Sequence, residues 1–361
     1  MTSMLHPAQS SQADADDTEV ILGVDTHKDT HHVAVLDLVG RVLADQAFPT
    51  TSVGYRQLLD WVAGHGVIES FGIELTDSYG AGLTRYLAGQ GVAVLQVTTT
   101  DKAARARRGK TDRLDAIAAA QKVLAGLARA TPKDTTGSIE SIRMISIVRQ
   151  SAVKDRTRAT NQFKALIITA PAELREQLGG LTTAAALKLA RTFRPDHTRL
   201  AEPAVAAKLA LKRLAGRISE LDPEIAAAEN ELGRLVTAVA PTLIARPCIG
   251  PITAAQLLMT ASSNISRIHS EAAFARLCGA APIPVASGKT HRMRLHRGGD
   301  RQANYALHMI IIGRLKNHPA TKAYRDKKLA EGHSTKDAIR ALKRFIAREV
   351  FNILKTDLIL P

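Results

Sequence analysis

The sequence predicts a mixed α/β domain followed by a mainly helical remainder, an α/β + α chain. Three short apolar runs, each closed by turn residues, come in quick succession before residue 50. Helical apolar spacing then alternates with further strand-like runs to about residue 97. From about residue 139 onward helical periodicity dominates.

Residues 1–18, rich in Ser, Ala, Gln and Asp, carry too little apolar surface for a core and are expected to form a disordered tail. Strand-like runs follow at 20–25, 32–37 and 41–48. Tight turns at His27-Lys28-Asp29-Thr30 and around Gly40 join them, which predicts an antiparallel meander. Next come a helix over 53–63, a strand over 67–74, a helix over 81–90, a strand over 92–97 and a further helix. The order βββαβαβ, then a helix, is that of ribonuclease H-like folds.

The segment 140–168 interleaves Ile142, Ile145, Val148, Phe163 and Leu166 with Arg143, Arg149, Lys154, Arg156, Arg158 and Lys164. Leu214, Ile218, Leu221, Ile225, Ala228, Leu232, Leu235 and Val239 then step by fours and threes, a coiled-coil seam. Its partner is either another chain or another helix of the same chain. Pro223 marks either a kink or the start of a new helix capped by Asp222. Residues 241–361 hold a hairpin-like element, a Gly/Pro-rich loop over 279–299 and more helix. The expected domains are 1–18 (tail), 19–160 (α/β), 161–240 (helical linker) and 241–361.

Lys and Arg number 49 against 34 Asp and Glu, a net charge of +15, which favours a polyanionic partner. From Arg314 to Arg348 there are 11 Lys/Arg against 3 Asp/Glu. Arg340, Lys343 and Arg344 in this stretch are expected to face phosphates. Aromatic residues make up only 4%, which argues against base-stacking recognition of single strands. No apolar run approaches the roughly 20 residues that span a bilayer. The polar start does not read as a signal peptide, so a cytoplasmic, nucleoid-associated location is expected. The two cysteines, Cys248 and Cys278, lie in apolar surroundings without zinc-ligand spacing, and both are expected to be small core residues.

The chemistry centres on four carboxylates. Asp25 closes the run Val20-Ile21-Leu22-Gly23-Val24, and Glu74 closes Phe71-Gly72-Ile73. Asp112 and Asp115 share one face of a helix that Thr111 can cap, where the helix N-terminus favours ionised carboxylates. Such a set suits divalent cations, Mg²⁺ above all, and a two-metal phosphodiester site. Asp29, Asp77 and Asp101 lie nearby and could substitute, although residues of this type more often serve turns. Arg105, Arg107, Arg108, Lys110 and Arg113 crowd the approach, where a nucleic-acid backbone can be held. An Asp-x-x-Asp pair alone is common and reads first as a cap or as a partner for arginine; Asp25 and Glu74 at strand ends are what favour the metal reading.

A second group is Ser287 before Gly288, after Pro282-Ile283-Pro284, with Lys289, Arg292, Arg294 and Arg297 following. Its hydroxyl is a nucleophile only if a base or metal activates it. A third, Pro247-Cys248-Ile249-Gly250-Pro251, is similar to the hairpin of helix-hairpin-helix elements, with Cys248 where Gly is usual. Tight helix packing accounts for it as well.

Together these residues resemble a known family. Gly23-Val24-Asp25, Glu74 with Tyr79, and Lys110-Thr111-Asp112-Arg113-Leu114-Asp115-Ala116 look like the DEDD motif of IS110-type insertion-sequence transposases. Ile249-Gly250-Pro251-Ile252-Thr253-Ala254 and Gly279-Ala280-Ala281-Pro282 with Ser287-Gly288 look like that family's serine-bearing domain. The departures are Cys248 for Gly, Asp77 where Gly is usual, and Asp300 where Asn is common.

The resemblance implies a RuvC-like N-terminal domain, a coiled-coil linker and a C-terminal transposase domain. It implies that Asp25, Glu74, Asp112 and Asp115 bind Mg²⁺ and that Ser287 forms a covalent phosphoserine with DNA. It further implies double-stranded donor and target DNA, an element-encoded guide RNA, and homodimers that join into tetramers through the coiled coil. Three other readings compete: a RuvC-like junction nuclease that uses water, a non-catalytic nucleic-acid-binding protein, and an actin-like ATPase suggested by Gly23-Val24-Asp25-Thr26. The last lacks a second Asp-x-Gly phosphate loop.

Overall fold

The computed structural model describes residues 18–98, 111–296 and 298–359. The tail to residue 17, Asp101, Arg105, Arg107, Arg108, Lys110, Arg297 and the side chain of Arg292 lie outside the described residues. The chain divides into two compact units, one reaching to Thr136 together with Ser262–Arg267, the other comprising Gly137–Ala261 and Ile268 onward.

The first unit is built on a five-stranded sheet of β1 (Glu19–Thr26), β2 (Thr30–Asp37), β3 (Val42–Pro49), β4 (Val67–Glu74) and β5 (Val94–Val97), ordered β3-β2-β1-β4-β5. The first three form the expected antiparallel meander, and β4 and β5 add in parallel beside β1. β1 is apolar almost throughout because both its faces are covered. Val20, Leu22 and Val24 pack with α1 (Ser52–Ala63) and α2 (Ala81–Gly89) through Leu58, Val62, Leu83 and Leu87. Ile21 points the other way and packs with α3 (Asp112–Leu124) through Ala116, Ala119 and Ala120. Strand alternation thus lets one strand serve two cores, each buried aliphatic side chain contributing about 1.5–3 kcal/mol.

Two glycines set the depth of α3. Gly23 and Gly72 are register partners on neighbouring strands. A Cβ on Gly23 would stand 2.0 Å from the Ala116 carbonyl oxygen, and one on Gly72 would stand 2.5 Å from Val123 Cγ2. The helix backbone therefore rests directly on the sheet, and its alanines fill the narrow gap. Asp25 and Glu74 lie two residues beyond these glycines, so alternation puts them on the α3 side of the sheet.

A segment distant in sequence completes this unit. Ser262 donates to the Asp134 carbonyl (2.9 Å), Ser263 to the Asp134 carboxylate (2.8 Å), and Asn264 bonds both Pro132 O and Asp134 N. Burial works against the Asp134 charge, but donation from Thr136 and Ser263 outweighs it and holds the carboxyl below its ordinary range.

The second unit is mainly helical: α4 (Gly137–Thr169), α5 (Ala172–Gly179), α6 (Thr183–Thr192), α7 (Pro203–Val239), α8 (Pro241–Ile244), α9 (Pro251–Ala261), α10 (Glu271–Leu277), β6 (Pro282–Ser287), β7 (Thr290–Leu295), α11 (Arg301–Asn317), α12 (Pro319–Ala330) and α13 (Thr335–Ile359). α4 is continuous across residue 160, where the sequence reading divides two domains. α7 lies antiparallel to α4: Arg149 bonds Glu229 (2.8 Å), and an equal step along each helix in opposite senses brings Arg156 to Asp222. Ile218, from the heptad seam, packs there with Ala159 and Phe163 of α4, so the seam has a partner within its own chain.

One alternative is set aside and two expectations are corrected. Pro223 does not begin a new helix; it sits on the exposed side of an unbroken α7, where water can satisfy the carbonyl its ring leaves without an N–H. Residues 279–299 are not simply a loop, because β6 and β7 pair into a hairpin within them. Pro282 and Pro284 are compatible with β6 because a two-stranded ribbon leaves an unpaired edge. Cys248 is exposed rather than a core residue, whereas Cys278 is buried as expected. Cys248 also has a φ of +62°, a left-handed conformation that explains the usual glycine at this position.

Candidate metal centre and catalytic residues

Thr111 caps α3 as expected, accepting from Leu114 N (3.3 Å), and the first turn carries Asp112 and Asp115. A second restraint comes from the sheet. Arg113 donates to Asp45 on β3 (2.6 Å), and His32 meets the other oxygen of that carboxylate at 2.9 Å. Donation from Arg113, and more weakly from His32, holds the Asp45 carboxyl below the usual carboxylate range despite partial burial. Arg113, expected to face nucleic acid, therefore also fixes the helix start to the sheet.

This geometry brings Asp25 and Asp112 together, with His27 between them. His27 Nδ1 stands 3.7 Å from Asp25 Oδ2, and Nε2 stands 3.8 Å from Asp112 Oδ1. One ligand atom from each of the three lies within 4.8 Å of the others. Donors around a divalent ion at ~2.1 Å stand about 3–4 Å apart, so the three residues fit a cation with only small side-chain adjustments. The donor set is two carboxylate oxygens and one imidazole nitrogen. It is softer than carboxylates alone and also suits transition metals.

Glu74 and Asp115 are not part of this group. Glu74 ends β4 directly beside β1, and Thr26 donates to its backbone carbonyl (3.3 Å). Its carboxylate has the Lys122 ammonium at 3.9 Å, while Lys122 also donates to Thr98 O. Leu75, the next residue, takes a φ of +50°. Such conformations cost roughly 1–3 kcal/mol in a non-glycine residue and are often found where a site demands them. His27 and Lys122 escaped the sequence reading. The signal for His27 was its place two residues past Asp25, on the same face if β1 continued. Nothing in the local pattern marked Lys122, which lies ten residues beyond Asp112 on α3.

Ser287 is exposed as the last residue of β6, paired with Thr290 across the turn of Gly288 and Lys289. Gly288 has a φ of +55°, which the tight turn requires. Arg294 pairs with Ile283, four residues before Ser287, so the pleat puts Arg294 and Ser287 on one face of the ribbon. The C-terminal cations expected to meet phosphate carry protein partners: Arg340 bonds Asp337 (2.8 Å), Arg344 bonds Glu271 (3.0 Å), and Lys343 donates to Asn304 (2.7 Å). Burial also pushes the Lys343 amine below its ordinary range. Among the described residues, no helix is long and apolar enough to cross a membrane.

A mixed α/β unit with carboxylates at strand ends, followed by a helical unit bearing an exposed serine, accords with two family matches, both to transposases. One, the DEDD transposase of IS110, matches residues 22–169; the other, the IS116/IS110/IS902 transposase family, matches residues 240–326. The protein is an insertion-sequence transposase, a class whose substrate is DNA. It belongs to the IS110 family.

Relatives agree along most of the chain. An IS110 protein of 43.6 kDa from Streptomyces coelicolor is 25% identical, over 95% of each chain. A protein of the same organism assigned as the mini-circle transposase of IS117 is 25% identical over 76% of this chain and 79% of its own. A 42 kDa protein of IS900 from Mycobacterium paratuberculosis is 24% identical over 89% and 92%.

Proposed function

We propose that the protein cuts and rejoins DNA strands by metal-dependent phosphodiester transfer through a covalent phosphoserine, guided by an RNA encoded in its own element. The observation that carries the metal-dependent step is the approach of Asp25, His27 and Asp112. A divalent cation held there, with Mg²⁺ the first candidate, would neutralise phosphate charge and polarise the phosphoryl oxygens. Glu74, at the end of the strand beside β1, and Asp115, one turn beyond Asp112 on α3, would serve a second ion or positioning, with Lys122 tempering the charge of Glu74.

Ser287 loses its hydroxyl proton and its Oγ bonds to phosphorus, while the bond from phosphorus to one deoxyribose oxygen breaks and that oxygen leaves as a hydroxyl. Attack by another DNA hydroxyl on the phosphoserine reverses these steps and frees the serine. Each exchange replaces one ester by another, so rejoining needs no ATP. Lys289 in the turn next to Ser287, and Arg294 farther along the same face of the ribbon, would add positive charge for the phosphate. The RuvC-like identity of the sheet domain, the guide RNA and the assembly into dimers and tetramers belong to the same proposal. The sheet order and the family match support the first of these, and the excess of basic over aromatic residues accords with a polyanionic guide.

Ser287→Ala is expected to abolish a denaturant-resistant protein–DNA adduct while DNA binding survives. An adduct that persists removes Ser287 from the mechanism. Asp25→Ala and Asp112→Ala are each expected to lower metal-dependent cleavage by about 100-fold or more, the scale seen when a group stabilising developing charge is lost. A junction nuclease using water would leave free phosphate ends and no adduct, so one denaturing gel separates the two readings. Sequencing the RNA that co-purifies tests the guide: random cellular RNA would count against it.

A further inference from the structure

We propose that a basic cleft formed by α4, α6 and α7 binds the phosphodiester backbone of nucleic acid without reading its sequence. The cleft, of about 510 Å³, is lined by Arg156 and Lys164 from α4 and by Lys188 and Arg191 from α6. Lys188 and Arg191 are spaced i,i+3 and share one helix face. The single acidic group in the lining, Asp222, is engaged by Arg156. Among the described residues, Lys164, Lys188 and Arg191 have no ion-pair or hydrogen-bond partner, and all three are exposed. On α13, by contrast, Arg340, Arg344 and Lys343 are held by neighbouring side chains.

A second donor set lies at the start of α6, whose first residues line the same cleft. Thr182 caps α6 by accepting from Ala185 N (3.3 Å), which leaves the amides of Thr183 and Ala184 without helical acceptors. Both residues line the cleft. The positive end of a ten-residue helix thus adds to three unpartnered cationic side chains, an arrangement suited to phosphate oxygens. The remaining lining includes Leu187, Ala215 and Ile218 and no aromatic ring. Bases have nothing to stack on, so the contact is with the backbone and positions a nucleic acid rather than identifying it.

The test uses the full chain in metal-free buffer, so binding is read independently of the strand chemistry proposed above. The affinities of a labelled RNA duplex and a labelled DNA duplex are measured against salt concentration. Removing three phosphate contacts with Lys164→Ala/Lys188→Ala/Arg191→Ala should flatten the logarithmic salt slope by about 2–3. Affinity at moderate salt should fall roughly 30- to 100-fold on RNA, on DNA or on both, and the polymer affected identifies the occupant. Unchanged slopes and affinities on both duplexes, with an unchanged melting curve, overturn the proposal, as does binding of free inorganic phosphate alone. Should the triple variant not fold, Thr183→Pro serves instead. Proline is tolerated at a first helical position and deletes one cleft amide. A roughly three- to tenfold weaker affinity is expected, and no change overturns the proposal.

Discussion

The strand-end carboxylates and the hairpin serine are presented in opposite ways. Asp25 stands at the end of a strand buried on both faces, beneath a helix whose backbone touches the sheet at Gly23 and Gly72. Ser287 stands at the tip of a two-stranded ribbon with solvent around it. The cation binding proposed at Asp25, His27 and Asp112 would demand positions fixed to a few tenths of an ångström, which packed elements provide. The nucleophile proposed at Ser287 would have to meet a large, variably shaped DNA, and an exposed hairpin suits that. The first region is thus sensitive to any change in volume, and the second mainly to turn conformation.

The largest test of that contrast is Gly23→Ala. A methyl group 2.0 Å from a helix carbonyl forces α3 off the sheet, with an expected loss of about 3 kcal/mol or more and loss of the cation site with it. Chemical denaturation, with Mn²⁺ binding read in parallel, checks both. A melting curve close to the parent's would mean that α3 does not rest on β1.

His31 gives the next largest effect. It is buried on β2 and stacks on Tyr55 at 5.9 Å, and burial lowers its pKa from 6.5 to about 4. The unfolded chain takes up this proton first as pH falls. Stability is therefore full above about pH 6.5 and declines through the interval down to about 4. The depression corresponds to a loss of the order of 3 kcal/mol. Denaturation midpoints measured from pH 7 to 4 should show this slope, and His31→Phe should flatten it.

The smallest effects lie in the second unit. Cys248→Gly relieves a left-handed non-glycine residue and should raise stability by about 1 kcal/mol in a thermal melt. A loss would show that contact of Cys248 with the backbone at Gly313 matters more than its φ.

Much of this protein was legible in the chain itself. Apolar alternation and turn residues located five strands and the helix carrying Asp112, because local periodicity and capping are properties of neighbouring residues. The same signals separated the α/β portion from the helical one and put Asp25 and Asp112 forward as candidates, whereas Ser287, in what reads locally as a turn, was raised only by the resemblance to a family. The basic surplus was countable, but its availability was not: Arg340, Lys343 and Arg344 found partners, while Lys164, Lys188 and Arg191 did not.

Tertiary structure alone decided the rest. It brought His27 between two carboxylates and put Lys122 beside Glu74. It gave the heptad seam a partner in α4 and joined Ser262–Arg267 to a unit that otherwise ends at Thr136. Each of these pairs residues far apart along the chain or set by the register of neighbouring elements. The encounter depends on how helices seat on a sheet or on one another, and on which charges meet when they do. A strand-end aspartate announces itself through its neighbours in sequence; the group that completes its site is chosen by packing.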